Sequence, residues 1–274
     1  MFLTTKTDEW RKPAVRSSGQ MKQNDSEWLG SIERNPERWV LRAIALSFVS
    51  LRTGEVRRAM HYSNILFDLD GTLTDPREGI TRSVQYALSK LGIDEPDLTA
   101  LEHFIGPPLL QCFMATYALD EATGWQAVNH YRERFRVTGL YENRVFEGVE
   151  TLLDALVAQG RTLYIATSKP TVFAEEIARH FGFARYFKRI YGSELDGTRT
   201  NKVELLAHLL ESEGLAPDSA LMIGDRKHDL IGARSNGLHA AAVGYGFGSR
   251  EELAGEVPAY HFDTLVQLHE AFRR

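Results

Sequence analysis

Polar residues with reactive or metal-binding side chains follow short apolar runs of this sequence. They are, in chain order, Asp68, Asp70, Thr167, Ser168, Lys169, Lys202, Asp225 and Asp229. Carboxylates that lie together repel one another unless a cation sits among them, and oxygen ligands without His or Cys favour Mg²⁺. Such an ion can bridge a carboxylate and a phosphate oxygen while an oxygen nucleophile approaches phosphorus. If the fold brings these residues together, they form a Mg²⁺ site suited to phosphate chemistry.

The rest of the sequence predicts a fold that would bring these residues together. From Asn64 onward, short apolar runs alternate with longer amphipathic segments, which is the pattern of a parallel α/β sheet. Strands are predicted at 65–69, 162–166, 187–191, 220–223, 239–243 and 259–262. Parallel sheets bind ligands beyond the carboxyl ends of their strands, where most of these polar residues follow. The predicted fold class is therefore α/β, a Rossmann-like parallel sheet core flanked by helices.

A long insertion separates the first two predicted strands. It has roughly ninety residues, far more than one crossover connection needs. Within it, the segments 78–91, 107–118 and 121–137 each have the periodicity of an amphipathic helix. We therefore predict an inserted α-helical cap domain at residues 76–145, and an α/β core formed by residues 60–75 and 146–274.

Residues 1–59 do not share this alternation of strands and helices. Most of their length lacks a sustained helical or strand period, and Met60 comes shortly before the first predicted strand. We therefore predict an N-terminal extension that is either disordered or upstream of the true start of the protein, with Met60 as that start.

Four short segments, in order along the chain, resemble the motifs of phosphatases of the haloacid dehalogenase (HAD) superfamily. The first motif, Asp-x-Asp-Gly-Thr at the end of an apolar strand, is matched by residues 68–72. The second is a Thr or Ser after an apolar strand, matched by Thr167, and the third is a lysine, best matched by Lys202. The fourth, Gly-Asp-x-x-x-Asp, is matched by residues 224–229. The resemblance extends from residue 64 to the C-terminus.

The resemblance implies a role for each matched residue. Asp68 would be the nucleophile that forms an aspartyl phosphate, and Asp70 would protonate the leaving alcohol and then deprotonate water. Thr167 would donate a hydrogen bond to a phosphate oxygen, and Lys202 would offset the negative charge of phosphate and carboxylate. Lys169 is the alternative to Lys202 for this role. The helix that begins near Ser168 would direct its backbone N–H groups at the same phosphate.

The implied metal site uses the same carboxylates. Asp68, the main-chain carbonyl of Asp70 and the side chain of Asp225 would bind Mg²⁺. Asp229 would support the water ligands of the metal or orient Lys202. Taken alone, Asp225 and Asp229 could instead cap a helix, so the metal assignment depends on the other motifs.

The inserted helices resemble the cap of phosphoglycolate phosphatase-like members of the superfamily, which closes over small substrates. Residues 104–109 resemble the substrate-facing loop of that subgroup, which makes Gly106 a predicted substrate-binding residue. Residues 191–199 resemble members described as 5'-nucleotidases, which act on nucleoside monophosphates. The predicted partner is a small phosphorylated metabolite or a nucleoside monophosphate, and the sequence leaves the choice open.

Other functions compete with hydrolysis of a phosphate monoester through an aspartyl phosphate. A phosphomutase of the same superfamily would keep both aspartates of the first motif, so it stays open. Haloacid dehalogenation is disfavoured because that chemistry in this superfamily lacks the second aspartate, here Asp70. A non-catalytic module that binds phospho-ligands or proteins is expected to have lost the nucleophile or the lysine, and both are present. A Mg²⁺-dependent phosphatase is therefore the predicted function.

Composition limits the partners and the compartment. The net charge is -5, and residues 60–274 hold 21 Lys and Arg against 30 Asp and Glu, so nucleic acid is not an expected partner. No membrane span is expected, because the most apolar early segment falls short of ~20 residues. The single cysteine, Cys112, excludes an intramolecular disulfide and favours a reducing, cytoplasmic compartment, with Cys112 packed among apolar residues. The oligomeric state is not predicted.

Two further segments have patterns that we interpret as structural. We interpret residues 131–136 as the solvated face of a helix in the insertion, with contact to an anionic substrate as the alternative. The glycine-rich segment 244–248 lacks the strand, loop and helix context of a dinucleotide site, so we predict a flexible loop after the fifth strand.

Overall fold

The computed structural model describes residues 61–273, in which eight strands form two sheets. In chain order the strands are β1 (Asn64–Phe67), β2 (Thr74–Asp75), β3 (Arg144–Val145), β4 (Thr162–Pro170), β5 (Phe187–Ser193), β6 (Ala220–Gly224), β7 (His239–Val243) and β8 (Tyr260–Phe262). Six of them form a parallel sheet in the order β5-β4-β1-β6-β7-β8. The predicted α/β fold class is confirmed, whereas the predictions for residues 1–59 and Met60 lie outside the described residues.

Nine α-helices lie along residues 61–273. They are α1 (Arg77–Lys90), α2 (Leu109–Tyr117), α3 (Glu121–Arg134), α4 (Val149–Ala158), α5 (Thr171–His180), α6 (Lys202–Glu213), α7 (Lys227–Ser235), α8 (Arg250–Gly255) and α9 (Leu265–Phe272). Helices α4 to α9 flank the large sheet, and α1 to α3 occupy the insertion between β2 and β3. A 3₁₀-helix at Thr99–Phe104 and a π-helix at Phe135–Gly139 complete the insertion.

Both faces of the large sheet are covered by hydrophobic side chains. Ile65 and Phe67 of β1 join one buried cluster, and Leu66 between them joins the other. In β4, Leu163 and Tyr164 divide between the two clusters in the same way. Successive side chains of a strand point to opposite faces, so a strand between two helical layers must be apolar at every position. This explains why β1 has an uninterrupted apolar sequence.

Strand β4 is longer than the predicted strand 162–166. It continues to Pro170 because its pairing with β5 resumes beyond a register shift, where Pro170 lies opposite Ser193. Thr167, Ser168 and Lys169 therefore belong to the last residues of the strand and share its fixed backbone. Parallel pairing thus positions these side chains at the carboxyl edge of the sheet.

The insertion is helical, as the sequence predicts, and its two ends are joined by a short ribbon. Strands β2 and β3 pair antiparallel where the chain leaves and re-enters the core. Nearby, a Cβ on Gly79 of α1 would lie 2.1 Å from the carbonyl oxygen of Gly139. The start and the end of the insertion therefore pack backbone against backbone, which requires glycine at position 79. The domain boundaries at 76 and 145 remain predictions.

Candidate active site

The turn after β1 positions the first two aspartates. The N–H of Asp68 donates to the carbonyl of Ile223 in β6 at 2.9 Å, which extends the sheet by one residue. Gly71 then reverses the chain with φ of 85°, a conformation that favours glycine. A Cβ on Gly71 would lie 2.1 Å from Oδ2 of Asp225, so this position has no room for a side chain. Gly71 of the first motif thus packs directly against Asp225 of the fourth motif.

Three carboxylates meet at the carboxyl edge of the sheet. Asp68, Asp225 and Asp229 each contribute a carboxylate oxygen, and these oxygens all lie within 4.8 Å of one another. The exposed fractions of these residues are 4%, 0% and 1%, so water does not screen their charges. Such a cluster of like charges is costly unless cations neutralise it.

Lys202 is the cation that contacts this cluster. Its Nζ donates to Oδ1 of Asp68 at 2.8 Å, to Oδ1 of Asp229 at 2.6 Å and to the carbonyl of Ala166 at 2.7 Å. Lys202 is the first residue of α6, and the side chain of Asn201 caps that helix by accepting from Val203 N. The helix start therefore places the ammonium group beside the predicted nucleophile.

Burial and neighbouring charges shift the pKa values of the cluster. Burial raises the pKa of Asp225 well above its ordinary range, and Asp68 and Asp229 raise it further. Burial also raises the pKa of Asp229, although Lys202 opposes that shift. Burial opposes the charged form of Lys202, but Asp229 and Asp68 outweigh it and raise the pKa of the lysine. Burial is the largest cause of the raised pKa of both carboxyl groups, and the neighbouring carboxylates add to it.

Asp225 is held by neutral donors from two loops. Its Oδ2 accepts from Phe247 N at 2.7 Å, and its Oδ1 accepts from the hydroxyl of Thr72 at 3.3 Å. A Cβ on Gly246 would lie 2.4 Å from Oδ2 of Asp225, and a Cβ on Gly248 would lie 2.0 Å from its carbonyl oxygen. The predicted loop after the fifth strand is present at residues 244–248, and its glycines allow it to close tightly on Asp225. Its flexibility stays a prediction.

Asp229 has both carboxylate oxygens engaged by the protein. Oδ1 accepts from Lys202, and Oδ2 accepts from Arg226 N at 3.1 Å near the start of α7. The contact with Lys202 favours the predicted role of orienting that lysine. The contact with Arg226 N is the helix-capping contact that the sequence also allowed.

Asp70 lies outside the three-carboxylate cluster and pairs with a different lysine. Its Oδ2 lies 2.9 Å from Nζ of Lys169, and both side chains are buried. The other oxygen, Oδ1, has no hydrogen-bond partner among residues 61–273. Burial raises the pKa of Asp70, while Lys169 partly opposes the shift. A buried carboxyl group with a raised pKa and one unpaired oxygen is suited to carry a proton.

The two lysines that the sequence left as alternatives thus occupy different places. Lys202 contacts Asp68, and Lys169 contacts Asp70. Lys169 also lies over the ring of Phe135 in the insertion, with Nζ 4.5 Å from the ring centroid. Sequence reasoning missed this second pair, although the position of Lys169 two residues after Thr167 was a usable signal.

The remaining predicted site residues lie around the same edge. Thr167 is buried, and its hydroxyl accepts a hydrogen bond from Lys169 N at 3.2 Å. Ser168 and Gly106 line a cavity beside Asp70. Gly106 has φ of 101°, and the side chain of Arg226 fills the space where a Cβ would lie. The structure therefore gathers the predicted residues in one region, although it shows no direct contact between Thr167 and Asp68.

The cavity has a volume of about 200 Å³ and lies between the sheet edge and the insertion. Asp70, Ser168 and Lys169 line it on the core side, and Trp125 and Arg132 of α3 line it on the insertion side. Tyr131 and Phe135 also line it and are almost fully buried. The interpretation of residues 131–136 as a solvated face is therefore wrong for these two aromatic residues.

The carboxylate cluster meets the chemical requirements of a Mg²⁺ site. It offers hard oxygen ligands, and within residues 61–273 only the ammonium group of Lys202 contacts it, through Asp68 and Asp229. Asp225 has backbone and hydroxyl donors that fix its orientation without neutralising its charge. The residues present therefore fit a divalent cation.

A family comparison decides what kind of protein contains this site. Residues 65–243 match the family model described as haloacid dehalogenase-like hydrolase. The chain belongs to this family. The resemblance that the four motifs indicate is therefore confirmed, and so is the class of enzyme, since relatives in the family are named as phosphatases.

Individual relatives of this HAD-like hydrolase carry different names. A 5'-nucleotidase of Pseudomonas aeruginosa is 70% identical over 212 residues, which is 77% of this chain and 96% of that protein. The tyrosine-protein kinase PtkA of Mycobacterium tuberculosis is 36% identical over 76% of this chain and 71% of its own length. A phosphoglycolate phosphatase of Aliivibrio fischeri is 28% identical over 74% of this chain and 93% of its own length.

A solved structure has the same fold as this HAD-like hydrolase. The crystal structure of a predicted phosphatase from Clostridium acetobutylicum is 47% identical, covers 76% of this chain and 97% of its own, and has a TM-score of 0.75.

Within the part of the chain that the structure describes, no helix has the length and apolar character needed to cross a membrane. Cys112 is partly buried, and burial raises the pKa of its thiol to about 11, which fits a packing role.

The tight loop around Asp225 gives a testable expectation for this HAD-like hydrolase. Gly246→Ala should lower kcat/KM by about 10- to 100-fold, because a Cβ would displace the aspartate that the loop holds. Gly255→Ala is the matched control, since nothing lies within 4 Å of a Cβ there. Steady-state kinetics and thermal melting of both variants check the expectation. Wild-type kinetics in a folded Gly246→Ala protein would show that the loop does not hold Asp225 for catalysis.

Proposed function

We propose that this chain is a Mg²⁺-dependent phosphatase that hydrolyses a small phosphate monoester through an aspartyl phosphate on Asp68. One observation carries the proposal: Asp68 contacts Lys202 within a buried carboxylate cluster, and the proton-carrying candidate Asp70 lies two residues away beside a cavity. The names of the P. aeruginosa and A. fischeri relatives support a small phosphorylated metabolite or a nucleoside monophosphate as the substrate.

The first step transfers the phosphoryl group to the protein. An oxygen of Asp68 forms a bond to phosphorus while the bond between phosphorus and the ester oxygen breaks. Asp70 in its protonated form donates its proton to that ester oxygen, so the alcohol leaves without charge. Lys202 keeps Asp68 in place through the contact at 2.8 Å and offsets negative charge as the bond forms.

The second step returns the phosphoryl group to water. Asp70, now a carboxylate, accepts a proton from the water molecule whose oxygen bonds to phosphorus. The bond between phosphorus and the Asp68 oxygen breaks, and inorganic phosphate is released with both aspartates restored. The contact between Nζ of Lys169 and Oδ2 of Asp70 positions this carboxyl group for both proton transfers.

The binding groups divide between metal and phosphate. Asp68, Asp225 and the main-chain carbonyl of Asp70 would hold Mg²⁺, and Asp229 would orient Lys202. When bound, the ion neutralises charge on the phosphate and on the attacking carboxylate. Thr167 and Ser168 would donate hydrogen bonds to phosphate oxygens, and Gly106 would let the loop of the insertion approach the substrate.

A second candidate is transfer of the phosphoryl group to an acceptor other than water. The similarity to the protein named tyrosine-protein kinase PtkA supports it. A phosphomutase, which the sequence leaves open, would also be of this kind. Both share the first step on Asp68 with hydrolysis. They differ in the second, so release of one inorganic phosphate for each ester consumed separates hydrolysis from transfer.

Metal removal tests the proposal as a whole. Treatment with EDTA should lower the rate of phosphate release by on the order of 10³-fold or more for every ester that is hydrolysed, and added Mg²⁺ should restore it. The panel contains phosphoglycolate, nucleoside 5'-monophosphates and p-nitrophenyl phosphate. Ca²⁺ is the control metal, since it prefers more ligands at longer distances and should not restore activity. Equal rates with EDTA and with Mg²⁺ would contradict the proposal.

A further inference from the structure

The insertion end of the cavity has an aromatic and cationic wall. Trp125 and Arg132 lie seven residues apart on α3, which places them on one face of the helix, two turns apart. The guanidinium of Arg132 lies over the Trp125 ring, 5.8 Å from its centroid. Both side chains line the cavity whose other end contains Asp70 and Lys169. This wall therefore faces whatever group is attached to a phosphate bound near Asp68.

Arg132 differs from the other arginines of the insertion. Its side chain is half-buried and makes no hydrogen bond or ion pair with any residue within 61–273; its described contact is with the Trp125 ring. By contrast, Arg134 makes two hydrogen bonds with Glu142, at 2.7 and 2.8 Å. Partial burial of an unpaired guanidinium has a desolvation cost, which a bound ligand with hydrogen-bond acceptors would offset. The five donors of Arg132 are thus available to such a ligand.

Trp125 is partly buried and packs against the hydrophobic cluster that contains Phe67. A Cβ on Gly197, in the loop between β5 and α6, would lie 3.4 Å from the Trp125 ring, so this loop lies beside the indole at ordinary packing distance. Asp196 and Thr200 of the same loop also line the cavity. The wall therefore combines a planar apolar surface with a cation and with polar groups from a second element.

This combination fits a nucleobase better than a short carboxylic acid. A base presents a planar ring that stacks on tryptophan and guanidinium groups, and acceptor atoms that arginine can contact. The hydroxyl groups of a ribose would lie between the base and the phosphate, within reach of polar lining such as Asp196. The two-carbon leaving group of phosphoglycolate would leave much of the cavity of about 200 Å³, with its apolar walls, filled by water.

We propose that Trp125 and Arg132 recognise the base of a nucleoside monophosphate whose phosphate binds at Asp68, and that they set the substrate preference of this enzyme. The inference rests on the proposed function, because it assigns the leaving group of that reaction. Arg132 acts through binding and not through the bond-making steps. Its contacts would be made equally in the bound substrate and in the transition state, so their loss should raise KM more than it lowers kcat.

The test compares substrates in the full-length chain with Mg²⁺. The substrates are nucleoside 5'-monophosphates, phosphoglycolate and p-nitrophenyl phosphate, and the variants are Arg132→Gln and Trp125→Leu. Each variant should lower the ratio of kcat/KM for nucleoside monophosphates to kcat/KM for p-nitrophenyl phosphate by at least about tenfold, mainly through KM. Arg136→Gln is the matched control, since Arg136 is exposed and does not line the cavity, and it should leave the ratio unchanged.

Two outcomes would overturn the inference. One is an equal loss for all substrates with Arg132→Gln, which would indicate a general effect on the fold or on phosphate binding. The other is a wild-type preference for phosphoglycolate that Arg132→Gln removes, which would assign the arginine to a carboxylate. Arg132→Lys keeps the positive charge without the planar fork, so it should give a partial loss of preference in a protein that folds as the wild type does.

A binding measurement separates this inference from the proposed function. In an Asp68→Asn chain, which cannot form the aspartyl phosphate, adenosine monophosphate should still bind, and adding Arg132→Gln should weaken the Kd by about tenfold. Weakened binding together with no turnover by the wild type would retain the base site and overturn the phosphatase proposal. Unchanged binding together with an active wild-type enzyme would retain the phosphatase proposal and overturn the base site.

Discussion

Asp68→Asn is expected to lower kcat by on the order of 10³-fold or more for every substrate while leaving the chain folded. The amide of asparagine has the size of the carboxyl group, so the packing after β1 should persist, but it is too weak a nucleophile to form the acyl phosphate. Lys202 would lose one charged partner, but the amide oxygen at position 68 can still accept from it. The lysine also keeps the carboxylate of Asp229 and the carbonyl of Ala166. Its charge therefore stays paired, and large destabilisation is not expected.

Steady-state rates, thermal melting and trapping of labelled phosphate on the protein together measure this effect. Wild-type enzyme quenched during turnover should carry label, and Asp68→Asn should carry none. Asp94→Asn provides the same chemical change at an exposed position outside the helices and strands, and should behave as wild type. Turnover at the wild-type rate by folded Asp68→Asn protein would end the assignment of the nucleophile.

Much of the fold follows from the order of apolar and amphipathic segments. Strand β1 is apolar at consecutive positions because its side chains enter two hydrophobic clusters, one on each face of the sheet. Once such strands are parallel, their carboxyl ends share one edge, and residues that follow different strands must meet there. This explains why Asp68 and Asp225, which are distant in sequence, lie in one buried cluster.

The pairing of individual charges could not be predicted in the same way. Lys202 matches the third motif best and Lys169 is the alternative, but which carboxylate each lysine contacts depends on distances of a few ångströms. The register shift that carries β4 to Pro170 places Lys169 near Asp70, and the capped start of α6 directs Lys202 to Asp68. Neither a register shift nor the direction of a lysine side chain follows from local sequence.

The sequence pattern also did not predict that residues from two other parts of the chain lie near the site. Glycines in the segment 244–248 are typical of flexible loops, yet Gly246 and Gly248 are needed here because Asp225 lies against their backbone. Helical periodicity likewise shows that residues share a face, but not whether that face meets solvent or a cavity. Tyr131 and Phe135 form one such face, and it is buried.

Asp70→Asn is expected to lower kcat by about 10²- to 10⁴-fold, and the size of the loss should depend on the leaving group. An alkyl ester needs a proton on its departing oxygen, so its first step should slow strongly without the acid. p-Nitrophenolate leaves without protonation, so its first step should be slowed much less. Asp70 contacts Lys169 and not Lys202, and the amide should therefore leave the surroundings of the nucleophile unchanged.

The loss of the base in the second step gives this variant a distinct kinetic signature. With p-nitrophenyl phosphate, Asp70→Asn should release one equivalent of p-nitrophenol rapidly and then turn over slowly, because water attacks the aspartyl phosphate without a proton acceptor. Rapid-mixing absorbance and trapped label measure the burst and the intermediate, with Asp94→Asn as the control. Equal slowing of both ester types with no accumulated intermediate would instead mean that Asp70 maintains the shape of the site, because loss of proton transfer acts on leaving groups according to their basicity.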